Sequence, residues 1–171
     1  QSDGGPGMVQ VLGLLKGSDN PAGDQKIVLK AQILFWLIGA TDGHAKNFSI
    51  FLSPGGSYHL TPLYDALTAQ PRLDAHRIER KQMKLAMSVG TSRHYRTDEI
   101  LWRHFIQIGE AAGLPKSLVR EAIEEMADTA PQAIAKIESK LPVDFPVAIS
   151  TSVKGAITDR LRKLRVRQAK G

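Results

Sequence analysis

The stretch IGATDGHAKNFSIFL, from Ile38 to Leu52, sets an aspartate, a glycine, a histidine, a lysine and an asparagine between two apolar runs. Upstream, DQKIVLKAQILFWLIG has the length and apolar density of a helix, with Asp24 as its expected N-cap and Gly39 close to its end. Downstream, FSIFL and SYHLTPL are short β-prone segments separated by SPGG, which reads as a hairpin with a Pro/Gly turn. The polar residues therefore sit at a joint between a helix and a hairpin, and the rest of the fold has to be built around that joint.

Length and composition bound what the joint belongs to. A chain of 171 residues is the size of one domain, and 42% apolar residues can fill a real core. The absence of cysteine excludes disulfides and thiolate metal sites and fits a reducing, cytoplasmic setting. The longest apolar stretch, Ile33 to Ala40, is too short to cross a bilayer, and Gln1 begins no basic-then-apolar leader, so no membrane association is expected. Net charge is +6 and unevenly spread: residues 1–71 hold four Lys/Arg against five Asp/Glu, whereas the terminal DRLRKLRVRQAKG holds six against one. That end, with Arg160, Arg162, Lys163, Arg165, Arg167 and Lys170, is either a solvated helix face or a surface for phosphates or an acidic partner.

Elsewhere the pattern is mainly helical. Val9, Leu12 and Leu15 suit a short helix that stops near Gly17. RIERKQMKLAMSVG reads as either a strand or a short helix. Beyond it, Thr97 is expected to cap a helix with acidic residues in its first turn, Leu101, Phe105 and Ile108 on one side, and Gly113 at its end. Leu118, Ala122 and Met126 continue at helical spacing, and Pro131 is expected to open a further helix through Ile134 and Ile137. LPVDFP reads as a turn, and a last helix covers much of Ala148 to Arg167. Phe35, Trp36, Phe48, Phe51, Trp102 and Phe105 are candidate core residues, and Met83 and Met87 read as gap-filling core or surface residues rather than a cofactor box. The expected architecture is mainly α (α+β): a helical bundle carrying one small β-hairpin.

Asp42 and Asn47 stand at the D-x-x-x-x-N spacing of a protein-kinase catalytic loop, where the aspartate takes the proton of an attacking hydroxyl and the asparagine holds Mg²⁺ on nucleotide phosphates. Such a site needs a second metal aspartate from another segment, and LTPLYDALT supplies Asp65 just after the hairpin. These oxygen donors suit a hard cation that keeps some of its waters. Simpler readings stand beside this one: Asp42-Gly43 as a turn, Asp65 as the N-cap of a short helix, and His44 packed on the hairpin.

The segments SDGGPG, FWLIGATDGHAKNFSIFL, GGSYHLTPLYD and LPVDFP, in this order, resemble the carboxy-terminal part of HipA, the serine/threonine kinase toxin family of HipA–HipB toxin–antitoxin modules. The resemblance implies a protein-kinase-like C-terminal lobe over residues 1–171, with Asp42 as catalytic base and Asn47 and Asp65 as Mg²⁺ ligands for ATP. His44 and Lys46 are candidates for neutralising the γ-phosphoryl charge. It also implies a protein substrate among translation components, notably an aminoacyl-tRNA synthetase, and a HipB-like helix-turn-helix antitoxin that reads operator DNA. The pattern departs from ordinary kinases in that histidine follows the aspartate, Asp65 is not followed by Phe-Gly, and no A-P-E occurs. No glycine-rich strand-loop or strand lysine lies upstream of Asp42, so the nucleotide-covering N-terminal lobe is expected outside this chain, and these residues alone are expected to be inactive. Two other classes fit the same residues: an interaction module for antitoxin or DNA, and a metal-dependent phosphohydrolase built on Asp42, His44 and Asp65.

Overall fold

Helix α2, Pro21–Ile38, runs through the centre of the core of the computed structural model, which describes residues 5–165. Val28, Leu29, Ala31, Ile33, Phe35, Trp36 and Leu37 are all buried, so the helix is apolar on nearly every side, as a helix enclosed by neighbours must be. It is surrounded by α1 (Met8–Leu14), α4 (Trp102–Ala111), α5 (Lys116–Glu138) and α6 (Val147–Arg165), with α5 and α6 packed directly on it. Its buried polar groups act as tethers. Gln25 Nε2 donates to Leu12 O at 2.9 Å, Gln32 Nε2 to Met87 O at 3.1 Å and Trp36 Nε1 to Thr97 O at 2.9 Å.

Two small antiparallel sheets complete the fold. The expected hairpin forms from β1 (Ile50–Leu52) and β2 (Tyr58–Leu60), with Phe51 opposite His59 and a turn in which Gly55 and Gly56 take φ of +90° and +85°. The ambiguous RIERKQMKLAMSVG becomes one 3₁₀ turn, Arg80–Gln82, followed by strand β3, Lys84–Val89, which pairs with β4, His94–Arg96. Leu85, Met87 and Val89 alternate inward, and of the two places open to Met83 and Met87 both take the core. A short helix α3, Gln70–Asp74, leads into this second sheet. Among the described residues no helix is long and apolar enough to cross a membrane.

Four local expectations are corrected. Helix α2 starts three residues before Asp24: Asn20 is its N-cap, accepting from Gly23 N at 3.3 Å, and Pro21 takes the first turn. Asp24 is buried and accepts the Leu60 N–H at 3.1 Å, fastening α2 to the hairpin. Thr97 caps no helix, because α4 begins only at Trp102 and has no acidic residue in its first turn. Thr97 is instead buried between Trp36 and Met83, whose carbonyl accepts its N–H at 2.9 Å. Phe51 is 53% exposed, its ring beside that of His59 at 5.2 Å, on the outer face of the hairpin.

Pro131 opens no new helix but lies inside α5. Proline lacks an N–H, so the carbonyl of Ala127, four residues earlier, loses its helical partner. Arg165 of α6 donates its Nη2 to that carbonyl, which supplies the missing bond. The basic end is thus partly structural. Arg160 is buried, donating to Leu37 O at 2.9 Å and to Gln70 Oε1 at 2.8 Å, while Arg162 pairs with Asp159 at 3.0 Å. Arg167 and Lys170 lie outside the described residues.

Candidate active site

Helix α2 stops where Gly39 turns left-handed at φ +68° and the Ala40 N–H reaches back to Phe35 O at 2.8 Å. A side chain at Gly39 would also place its Cβ 2.8 Å from Met83 Cε. The chain then folds tightly over the helix it has just left. Gly43 lies against the Phe35 ring, so closely that a Cβ there would fall 2.5 Å from Cδ2. Phe35 itself meets Phe48 edge-on at 6.0 Å. The glycine of the D-x-x-x-x-N segment is therefore required by close approach, and the loop that carries Asp42 is seated on an aromatic pair.

At the tip of this loop the His44 N–H donates to Asp42 O at 3.0 Å, leaving Asp42 exposed. The His44 Nε2 lies 3.6 Å from Asp42 Oδ1, and its Nδ1 is buried without a hydrogen-bond partner among the described residues. One 3₁₀ turn, Ala45–Asn47, follows. Lys46 on this turn is exposed and forms no ion pair among the described residues.

Asn47 is 2% exposed and makes two hydrogen bonds with one side chain. Its Oδ1 accepts the His44 N–H at 2.9 Å, and its Nδ2 donates to Asp65 Oδ2 at 3.0 Å. Asp65 sits at φ +55°, a left-handed conformation that aspartate tolerates better than most residues. It is exposed and starts no helix, since α3 begins only at Gln70, so the N-cap reading of Asp65 is corrected. The segment after it is tied to the end of α2: Thr68 Oγ1 donates to Ile38 O and the Ala69 N–H to Gly39 O at 3.0 Å. Arg160 from α6 secures the same junction through Leu37 O and Gln70. Burial pulls the Arg160 guanidinium below its ordinary pKa, against the opposing pull of Asp74 and Asp159.

The fold thus brings Asn47 to Asp65, and His44 to Asp42, from the positions singled out in the sequence. Asp42, His44 and Asp65 do not form a three-ligand metal cluster among the described residues, which counts against the phosphohydrolase reading. One carboxylate and one carboxamide oxygen, the latter with a lone pair left beyond its bond to His44, fit a Mg²⁺ that arrives on phosphates and keeps its waters. Two contributors were missed by sequence reasoning. Tyr64, directly before Asp65, donates its hydroxyl to Lys46 O at 2.8 Å and lies 2.7 Å from Ser49 Oγ. Its place next to the aspartate was the available signal; for Arg160, whose partners are set only by tertiary packing, there was none.

The sequence matches the HipA-like C-terminal domain family over residues 1–134. It is 33% identical over 140 residues to "Putative kinase Y4mE" of Sinorhizobium fredii, covering 80% of this chain and 30% of that protein. It is 28% identical over 123 residues to the serine/threonine-protein kinase toxin HipA of Shewanella oneidensis, covering 72% and 26%. The fold superposes on the solved Shewanella oneidensis MR-1 complex of HipA, HipB and operator DNA with a TM-score of 0.75 at 25% identity, covering 94% of this chain and 35% of that one. The chain therefore spans about a third or less of the length of these relatives.

Proposed function

This chain belongs to the HipA-like C-terminal domain family, and on that premise we propose that it is the catalytic lobe of a HipA-like protein serine/threonine kinase, with Asp42, Asn47 and Asp65 as its core. The observation that carries the reading is the buried Asn47 carboxamide held 3.0 Å from the Asp65 carboxylate, on the loop that presents Asp42. A kinase needs those groups together because phosphoryl transfer is mostly a matter of positioning and charge.

In this reading a serine or threonine hydroxyl oxygen attacks the γ-phosphorus of ATP, the bond to the β-bridging oxygen breaks, and ADP leaves. Asp42 accepts the hydroxyl proton, and its exposure lets a protein substrate reach it. Asn47 and Asp65 would hold Mg²⁺, which neutralises phosphate charge when bound with the nucleotide. Lys46, exposed on the same turn, adds positive charge for the transferred group, and His44 beside Asp42 is the second candidate for contact with it. The glycine-rich cover and strand lysine are assigned to a further lobe outside these residues, in keeping with the small share of its relatives that the chain spans. The structural neighbour is a complex with HipB and operator DNA, which supports a helix-turn-helix antitoxin as partner, with DNA contacted mainly through that complex. A translation component, such as an aminoacyl-tRNA synthetase, is the protein substrate class in keeping with this family reading.

Calorimetric titration of Mg²⁺-ATP tests the proposal. The complete protein is expected to bind it tightly and the 171-residue chain weakly. Asp65→Ala should abolish binding, whereas Asp42→Asn should retain binding and lower phosphoryl transfer by about 100-fold or more. Equal binding by the short chain and the complete protein would contradict the two-lobe assignment, and full activity of Asp42→Asn would remove the base.

A further inference from the structure

Resting on the kinase reading above, we propose that the Tyr64 hydroxyl is a latch that holds the Asp65 segment against the loop carrying Asp42 and Asn47, which makes Tyr64 a positioning residue for the metal–nucleotide site. The phenol has one proton, and the geometry accounts for where it goes. Tyr64 donates to Lys46 O at 2.8 Å, so at 2.7 Å it is Ser49 Oγ that donates to the Tyr64 oxygen. Lys46 directly precedes Asn47 and Tyr64 directly precedes Asp65. The Tyr64–Lys46 bond and the Asn47–Asp65 bond are therefore adjacent rungs between the same two segments.

The Asp65 segment has few other restraints. Upstream it is tied where the Thr61 N–H meets Ser49 O at 2.9 Å, and downstream where Thr68 and Ala69 bond the end of α2. Between these anchors, residues 62–67 belong to no helix or strand and make no backbone-to-backbone hydrogen bond among the described residues. Leu63 packs partly on the core, while Tyr64, Asp65, Ala66 and Leu67 are exposed. In the middle of this span Asp65 holds its left-handed φ of +55°, a conformation that persists only where neighbouring contacts maintain it. The side chains available to maintain it are Tyr64, bonded to Lys46 and Ser49, and Asp65 itself, bonded to Asn47. A cation on Asp65 competes with the Asn47 bond, so the Tyr64 rung is the one that remains when the site is loaded.

Removing one hydroxyl isolates this role, because Tyr64→Phe keeps the ring, the Leu63 packing and the hairpin. In the complete protein, the Mg²⁺ concentration giving half-maximal ATP binding is expected to rise about five-fold, the equivalent of one neutral hydrogen bond. Without nucleotide, hydrogen exchange of the two bonded amides that anchor the segment, Thr61 and Ala69, should quicken by a similar factor, with the melting temperature unchanged. Ser49→Ala should shift both quantities in the same direction by less. Wild-type Mg²⁺ dependence and exchange in Tyr64→Phe would overturn the latch while leaving the kinase reading intact. Failure of the wild-type protein to bind Mg²⁺-ATP at all would overturn the kinase reading, and the latch with it.

Discussion

Gly43→Ala tests whether the loop carrying Asp42 is seated on Phe35. The added methyl carbon would lie 2.5 Å from Phe35 Cδ2 and 2.8 Å from Cε2 and Cγ, about 1 Å inside ordinary carbon–carbon contact. The ring has no room to retreat, being 1% exposed, fixed within the core, and edge-on to Phe48. Overpacking of this kind costs about 1–3 kcal/mol, and we expect that loss in urea denaturation of the variant. The loop is the softer partner and should move by about 1 Å, a displacement that, on the kinase proposal, should lower phosphoryl transfer in the complete protein up to about 100-fold. Phe35→Leu makes space under the loop, at a cost of its own of about 1–2 kcal/mol. If the clash is the cause, the double variant will be more stable than the sum of the two single losses predicts, by about 1 kcal/mol or more. Simple additivity, or a neutral Gly43→Ala, would mean that the loop is not seated on the Phe35 ring.

The pH dependence of stability should carry the mark of His104. Its ring is buried, stacks on His94 at 4.0 Å and accepts the Leu101 N–H through Nδ1 at 3.2 Å. Burial, with help from His94 and Arg103, lowers its pKa from 6.5 to about 4. Between these values the unfolded chain binds the proton and the folded chain does not, so stability is full above pH 6.5 and falls as pH drops toward 4, by up to about 3 kcal/mol. Denaturation midpoints across that window check it, and His104→Gln should flatten the slope. The bond from Arg165 to Ala127 gives a second test. Arg165→Met should cost about 1 kcal/mol in the natural chain but under about 0.5 kcal/mol when Pro131→Ala restores the helical N–H, and equal costs in both backgrounds would show that Arg165 does not substitute for it.

Signals that act over one or two turns were legible in the sequence. The helix stop at Gly39, the Pro/Gly hairpin, and the D-x-x-x-x-N spacing with a later aspartate all reflect constraints between near neighbours, whereas RIERKQMKLAMSVG fitted a strand and a helix alike. They were enough to give the mainly helical architecture and to single out Asn47 and Asp65, whose side chains meet in the fold. What they left open was which of two compatible bonds a polar residue makes. Asp24 has the chemistry of a helix cap, yet its carboxylate accepts the Leu60 N–H, and Thr97, expected in the same role, is buried with its own backbone bonded to Met83 and Trp36. Phe51 has the hydrophobicity of a core residue but faces outward, because strand pairing with His59 sets its side of the hairpin. Arg160 and Arg165 belong to a basic run by composition, and only the docking of α6 turns them inward onto the carbonyls of Leu37 and Ala127. Neighbouring residues determined the elements and the candidate chemistry. The tertiary structure decided where each polar group found its partner, because a buried donor or acceptor must be satisfied by whatever the fold brings within reach.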